Sequence, residues 1–311
     1  MPNGVRLTGC IGSAAKAYGK NNLLTRREFL VLTGSVALNG ARRIAPARTL
    51  RLGLLTSSTD ISAGAALARS EADRAATLFG QNIRLDVARV TSSDPEGVGA
   101  ARRLVVAGAT VLIGGMSAAD ASALAGVADE KNVLFLNVGS TADSLRRDKC
   151  RPHMFHVIAS DTMISSAKSS LTAPGDTSVA IELWHSSLER YGGSQLNDRY
   201  RARFGRPMTS SAWAGWVAVK IAWEASLRAR SVEGPVLGAF LEKDGSQFDG
   251  HKGAPLSFRV WDHQLRQPLY AVSNNRVIAE LPDVGKLTSE SLRDELDKLG
   301  DASRTRACIP R

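Results

Sequence analysis

The sequence predicts an α/β protein built on a doubly wound, parallel sheet, and three observations predict it. Strand-length and helix-length apolar patterns alternate from residue 50 to residue 159 with short loops between them. The runs Val111-Leu112-Ile113 and Val133-Leu134-Phe135-Leu136 are apolar on both faces, as strands covered by helices on each side must be. Both runs end in small polar residues, Gly114-Gly115-Met116-Ser117 and Asn137-Val138-Gly139-Ser140-Thr141. In an open sheet of this kind ligands dock outside the carboxyl ends of the strands. Those tips predict a place where a small molecule binds, without chemistry.

The elements follow in order. Leu50–Thr56 reads as the first strand, and Ala63–Phe79, rich in Ala and Leu with interspersed charges, as the helix after it. Ile83–Val90 is a strand. Asp94 and Pro95 open a helix through Ala107 that stops at Gly108. Strand Thr110–Gly114, helix Ala118–Glu130, strand Val133–Val138 and strand His153–Ala159 complete the unit. The crossovers are expected to be right-handed. The loop Ser57–Ser62 holds no Gly-rich fingerprint, so a dinucleotide site is not expected there.

Beyond Asp161 the pattern thins. Thr162–Ser170 is a short helix, Ser178–Leu183 a strand, and His185–Phe204 is helical with a break at Gly192-Gly193. Thr209 or Ser210 caps a long helix through Ala229, whose face carries Trp213, Trp216 and Trp223. Such a stripe marks packing more often than stacking on an aromatic ligand. A helix follows Pro235. Ser257–Trp261 and Pro268–Val272 read as a hairpin-like return, Val277–Leu281 as a third strand, and Thr288–Leu299 as a charged helix stopped by Gly300.

The chain has 311 residues, 43% hydrophobic and 23% charged, with a net charge of +10. Residues 1–47 carry seven Lys/Arg and one acid, which leaves +4 for the rest. No basic stripe remains, which argues against a nucleic-acid partner. Thr25-Arg26-Arg27-Glu28-Phe29-Leu30 resembles a twin-arginine export motif, and a weakly apolar run to Ala41 and Ala45-Pro46-Ala47 follow it. Residues 1–47 are therefore expected to be an export leader and the mature protein periplasmic; a basic amphipathic helix is the alternative. Removal of the leader would discard Cys10 and leave Cys150 and Cys308. In an oxidising compartment that pair is a candidate disulfide, with two free thiols as the alternative.

Three pieces in order carry a resemblance: Ile113-Gly114-Gly115-Met116-Ser117, then Asn137-Val138-Gly139-Ser140-Thr141, then Phe155-His156-Val157-Ile158-Ala159-Ser160-Asp161. With these the chain resembles a type I periplasmic substrate-binding protein of ABC transporters, of the branched-chain amino acid-binding kind. Leu196–Thr209, Trp213–Ala225, Asp249–Gly253 and Leu256–Leu269 resemble more narrowly the subgroup linked to quinoprotein (PQQ-dependent) alcohol dehydrogenase systems. The run Trp261-Asp262-His263-Gln264-Leu265-Arg266-Gln267-Pro268-Leu269 is the most distinctive of these.

The resemblance implies two lobes closing on a ligand. Residues 48–160 with about 195–260 match the first lobe, whereas 161–194 and 261–311 leave room for a crossover and a remnant of the second. Each strand–helix–strand unit needs ~30 residues, and roughly 90 are missing by that comparison. The fold expected is thus one nearly complete lobe plus a truncated second one.

By the same resemblance, Ser117 and Ala118 at a helix start and Ser140 and Thr141 in the next loop grip a ligand carboxylate, and the first loop (Ser58, Thr59, Asp60) is expected to line the same cleft. N–H groups at a helix start do make an anion site. Ala118 stands where amino acid binders often carry a hydroxyl, which weakens the case for an amino acid.

Catalysis is not expected. His153 and His156, at i and i+3 on a strand, point to opposite faces and do not chelate one metal, and no G-x-S-x-G elbow occurs. No cofactor is expected. Two functions stand: a solute-binding component that partners an ABC permease, or an accessory or sensory protein beside a periplasmic PQQ-dependent dehydrogenase.

Overall fold

The computed structural model describes residues 48–90, 95–173, 177–300 and 308. The expected leader lies outside the described residues. Strand β1 (Arg48–Leu55) leads to helix α1 (Thr59–Phe79), β2 (Gln81–Ala88), α2 (Pro95–Val106), β3 (Val111–Gly114), α3 (Ala118–Lys131), β4 (Leu134–Asn137) and β5 (Met154–His156). All five strands are parallel, in the order β2-β1-β3-β4-β5. The chain continues through α4 (Asp161–Ser169), β6 (Ala180–Glu182), α5 (Gly193–Phe204), α6 (Ser210–Ala229) and α7 (Gly234–Leu241). Short strands β7 (Phe248–Asp249), β8 (Pro255–Phe258), β9 (Leu265–Arg266), β10 (Leu269–Ser273) and β11 (Arg276–Leu281) precede α8 (Ser289–Lys298).

The sheet is covered on both faces, as its apolar strands require. Val111 and Ile113 of β3 point into a core with Leu52, Leu54, Ile61, Trp216 and Ile221, while Leu112 between them joins Phe135, Leu124 and Ala125 on the other side. Helices α1 and α6 pack so closely on the first face that a Cβ at Gly64 would fall 1.8 Å from the Ala212 carbonyl oxygen. One at Gly215 would fall 2.3 Å from that of Ile61. The tryptophan stripe is part of this packing. Trp213 and Trp216 are buried; Trp213 stacks on Trp184 at 6.2 Å, and Trp216 Nε1 donates to Glu71 at 2.8 Å.

Several boundaries differ from expectation for identifiable reasons. Helix α1 starts at Thr59 and not at Ala63, because the Ser58 side chain accepts from the Ile61 N–H and turns the polar loop into a first helical turn. Strand β5 stops at His156. Beyond it the N–H groups of Val157 and Ile158 both converge on the Asn137 carbonyl, the last of β4. Residues 185–189 are not helical, since Asn197 Nδ2 donates to the carbonyls of His185, Ser186 and Leu188 and takes the place of a turn.

The expected return between residues 257–261 and 268–272 is also different. Strand β8 pairs with β9, whereas β10 leaves to pair with β11 and β6 in a separate antiparallel sheet. The tight turn is closed by Arg259, which bonds Asp262 through its side chain and donates its N–H to the Gln264 carbonyl at 2.9 Å. Cys150 and Cys308, 158 positions apart in sequence, are joined as a disulfide with Cα atoms 4.9 Å apart. Among the described residues, no helix is long and apolar enough to cross a membrane.

Candidate functional site

The register of the sheet brings the tips of β1, β3 and β4 to one edge, with Leu54 beside Ile113 and Gly114 beside Asn137. Three loops meet there. Thr56, just past β1, accepts from the Ser58 N–H at 3.0 Å and donates to the Met116 sulfur at 3.4 Å. Gly139, past β4, lies against the loop after β3: a Cβ there would fall 2.7 Å from the Gly115 oxygen and 2.8 Å from Met116 Cα. A side chain at this position would push the two loops apart.

Each expected residue has a definite place on this edge. Ser58 caps α1, and Thr59 opens it exposed, its carbonyl accepting from Arg206 at 3.2 Å. Asp60 holds Arg206 and accepts from the Thr209 hydroxyl at 2.7 Å, which ties the start of α1 to that of α6. Ser117 caps α3 in a reciprocal box with Asp120: each backbone N–H bonds the other's side chain at 3.1 Å. Ala118 is the exposed first residue of α3. The first-turn N–H groups of Ala118 and Ala119 have no acceptor within the helix, so they, and not the Ser117 N–H, are the donors this edge offers to an anion.

The loop after β4 is shaped from below. Asn137 is fully buried; its Oδ1 accepts from the N–H groups of Gly139 and Ser140, and its Nδ2 donates to the Ser140 carbonyl at 2.8 Å. That orientation places the same Nδ2 3.0 Å from His156 Nδ1, which must therefore accept and stay unprotonated. Burial, and next the nearby Arg146 and His263, hold the His156 ring well below the ordinary histidine range. The buried Arg146 guanidinium donates to the carbonyls of Ser140, Ala142 and Ile158 and to Gln264 Oε1. Burial pulls it down to about 9, with Asp262 and Asp143 opposing, so it is still a cation at neutral pH.

The consequence for the site is mixed. Ser140 is buried and its N–H is spent on Asn137, so it shapes the loop and does not face solvent. Thr141 is half-buried, and its carbonyl accepts from the Asp161 N–H at the start of α4. Asp143 strengthens that junction by accepting from the Thr162 N–H and hydroxyl. Burial pushes the Asp143 carboxyl up, but the Thr162 bonds outweigh it and hold it below the usual value. Asn137, Arg146, His156 and Gln264 escape sequence reasoning. The one legible signal is an Asn closing an otherwise apolar strand.

The histidines are dispersed. His153 Nδ1 meets Asp129 at 2.9 Å, and His263 lies between the Met154 carbonyl and Glu242. Among the described residues, no group of three His, Cys, Asp or Glu is placed to hold a metal ion.

Residues 53–181 match a protein family described as periplasmic binding protein. No curated protein matches the chain. Among solved structures, the chain is similar in fold to the branched-chain amino acid transporter substrate-binding protein LivJ of Streptococcus pneumoniae, in complex with isoleucine. That pair is 14% identical over 75% of this chain and 99% of the other, with a TM-score of 0.60. A periplasmic binding protein from Burkholderia mallei is 16% identical over 86% and 100%, TM-score 0.63. A solute-binding protein of an ABC transporter from Rhodopseudomonas palustris, in complex with 3,4-dihydroxybenzoic acid, is 13% identical over 77% and 99%, TM-score 0.62. The fold is that of a periplasmic binding protein.

Proposed function

We propose that this chain is the periplasmic solute-binding component of an ABC transporter, which holds a small carboxylate-bearing molecule without altering it and presents it to a permease. The observation that carries this reading is the edge where β1, β3 and β4 end. It exposes Thr59, Ser117 and Ala118 at helix starts, where the first-turn N–H groups of α3 lack an acceptor within the helix. The match at residues 53–181 covers this edge. Two of the similar structures hold isoleucine and 3,4-dihydroxybenzoic acid, both carboxylates. Ala118 offers no hydroxyl, which favours an acid without an amino group.

A thermal-shift series with isoleucine, leucine, benzoate, 3,4-dihydroxybenzoate, short alcohols and PQQ tests the reading. A ligand at a hundred times its Kd stabilises by about 2.7 kcal/mol. Ala118→Trp, which fills the edge with an indole, is expected to remove the shift. No stabilisation by any acid would overturn the proposal.

The second lobe is, in this reading, a remnant made of α4 and the sheet β6–β10–β11. Its support is the small size of that sheet, three strands of three to six residues. A one-lobed envelope in small-angle scattering is the expected result, and a two-lobed envelope would count against it. A cleft walled on one side covers little of its ligand, so affinity should be modest. The Arg26-Arg27 pair is read as the export signal; Lys replacement of both should leave the protein in the cytoplasm.

The accessory role beside a PQQ-dependent dehydrogenase rests on the run Trp261–Leu269. His263, Gln264, Leu265, Gln267 and Leu269 in that run are fully buried, which points to packing as the reason for its pattern. Permease and ATPase genes next to this one would favour transport; a dehydrogenase gene without them would favour the accessory role.

A further inference from the structure

A hollow lies against the small sheet and shares no residue with the loops at the strand tips. It measures about 350 Å³, the low end for small-molecule clefts. Its polar lining comes from Arg190, Tyr191, His251, Tyr270, Glu280 and Asp283, with Ser187 and Glu189 beside them.

One wall is built under strain. Tyr191 (φ 55°, ψ 28°) and His251 (φ 57°) both sit in the left-handed region, which bulky side chains avoid. Two glycines permit this. A Cβ at Gly253 would fall 2.5 Å from the Tyr191 ring, and one at Gly192 would fall 2.7 Å from His251 Nδ1. The His251 ring is backed by Trp216, at 5.4 Å. Strained residues held this way gather where a surface must keep a set shape for a ligand.

The Arg190 guanidinium lies over the Tyr191 ring at 4.7 Å and donates to its hydroxyl at 2.6 Å, so it is an anchored cation. Glu280 reaches in from β11, and its Oε1 is buried with no hydrogen-bond partner. Burial pushes this carboxyl up, with Asp283 adding and Arg190 and Lys252 opposing. Burial and Glu280 likewise push the Tyr270 phenol up. Asp283 is itself answered by Lys286, at 2.9 Å. The hollow thus offers one anchored guanidinium, phenol groups, the carboxyls of Glu189 and Asp283, and a Glu280 oxygen that lacks a donor. A carboxylate suits the guanidinium. A hydroxyl suits Glu280 Oε1, which is buried without a hydrogen-bond partner, because it donates a hydrogen bond without bringing a further charge into a partly buried site.

We propose that this hollow binds a small hydroxy acid, its carboxylate on Arg190 and a hydroxyl donating to Glu280 Oε1. This goes beyond the reading of the strand tips and does not depend on it.

Calorimetric titration of the protein with D-glycerate and D-gluconate tests it, with propionate (no hydroxyl), glycerol (no acid) and serinol (amine for acid) as comparisons. The hydroxy acids are expected to bind at least about tenfold more tightly than any comparison compound. Arg190→Met, at an exposed position, should weaken them about tenfold. Glu280→Leu should do the same, whereas Glu280→Gln, which keeps an acceptor oxygen, should stay within about threefold of the wild type. Absence of binding by both hydroxy acids, or equal binding of serinol, would overturn the proposal. So would loss of binding in Ala118→Trp, which would place these ligands at the strand tips. Failure here with a positive thermal-shift series would leave the transport reading standing.

Discussion

Asn137 does the most at the scale of one residue. Its amide meets two N–H groups, one carbonyl and the acceptor nitrogen of His156. Asn137→Leu would strand all of them in a dry interior, and each buried orphan costs about 1–3 kcal/mol. A loss of about 3 kcal/mol or more in urea unfolding is expected, together with shifted amide resonances at Gly139–Thr141. His156 makes a separate prediction. Its folded-state value is depressed, so below about pH 6.5 the unfolded chain binds a proton that the folded chain refuses. Stability from this group is complete above that pH and falls on acidification, by at most about 1.4 kcal/mol per pH unit. Urea titrations between pH 5 and pH 7 should show the slope, and His156→Gln should flatten it; an unchanged slope would assign the effect elsewhere. Little of this was legible beforehand. Ser117 and Thr141 could be named because small polar residues at strand tips carry a pattern, but the cradle of Arg146, which accounts for one bond to the Ser140 carbonyl, depends in part on Gln264, 118 residues away.

Among elements, the pairing of α1 with α6 carries the sharpest test. Backbone atoms, not side-chain ends, oppose Gly64 and Gly215, so neither helix can relax around a new methyl group. Gly64→Ala is expected to lose about 3 kcal/mol or more, at the upper end of overpacking costs. Gly126 in α3 is the control: a Cβ there meets nothing within 4 Å, and Gly126→Ala should gain about 0.5–1 kcal/mol from helix propensity. Melting both variants distinguishes contact from propensity. The strands and helices up to β5 were readable because apolar period and caps agree there. The last third was harder. Strands of two to five residues such as β7, β8, β9 and β10 hold too few positions for a period to show, and the turn at Arg259 is set by a buried ion pair that no period encodes.

For the molecule as a whole, the Cys150–Cys308 bond joins the far end of the chain to the loop before β5. Closing a loop of 158 residues stabilises by roughly 5 kcal/mol in the chain-entropy model, an upper figure. Cys308→Ser, or reduction, should lower the melting temperature measurably without abolishing the fold, whose main sheet and hydrophobic clusters lie within residues 48–300. The parallel sheet could be foreseen from its alternation. The extent of the second lobe could not, because a lobe is defined by what its strands pack against and not by their own pattern.

The embrace of α1 by α6 also sets a schedule. The first helix is finished at Phe79, while the partner that shields it is complete only at Ala229, 150 residues later. At 5–20 residues per second that is a delay of roughly 8–30 s. During synthesis the oily stripe of Ile61, Leu67 and the alanines around them waits uncovered, and a nascent chain arrested before Ser210 should be held by cellular chaperones when the finished one is not.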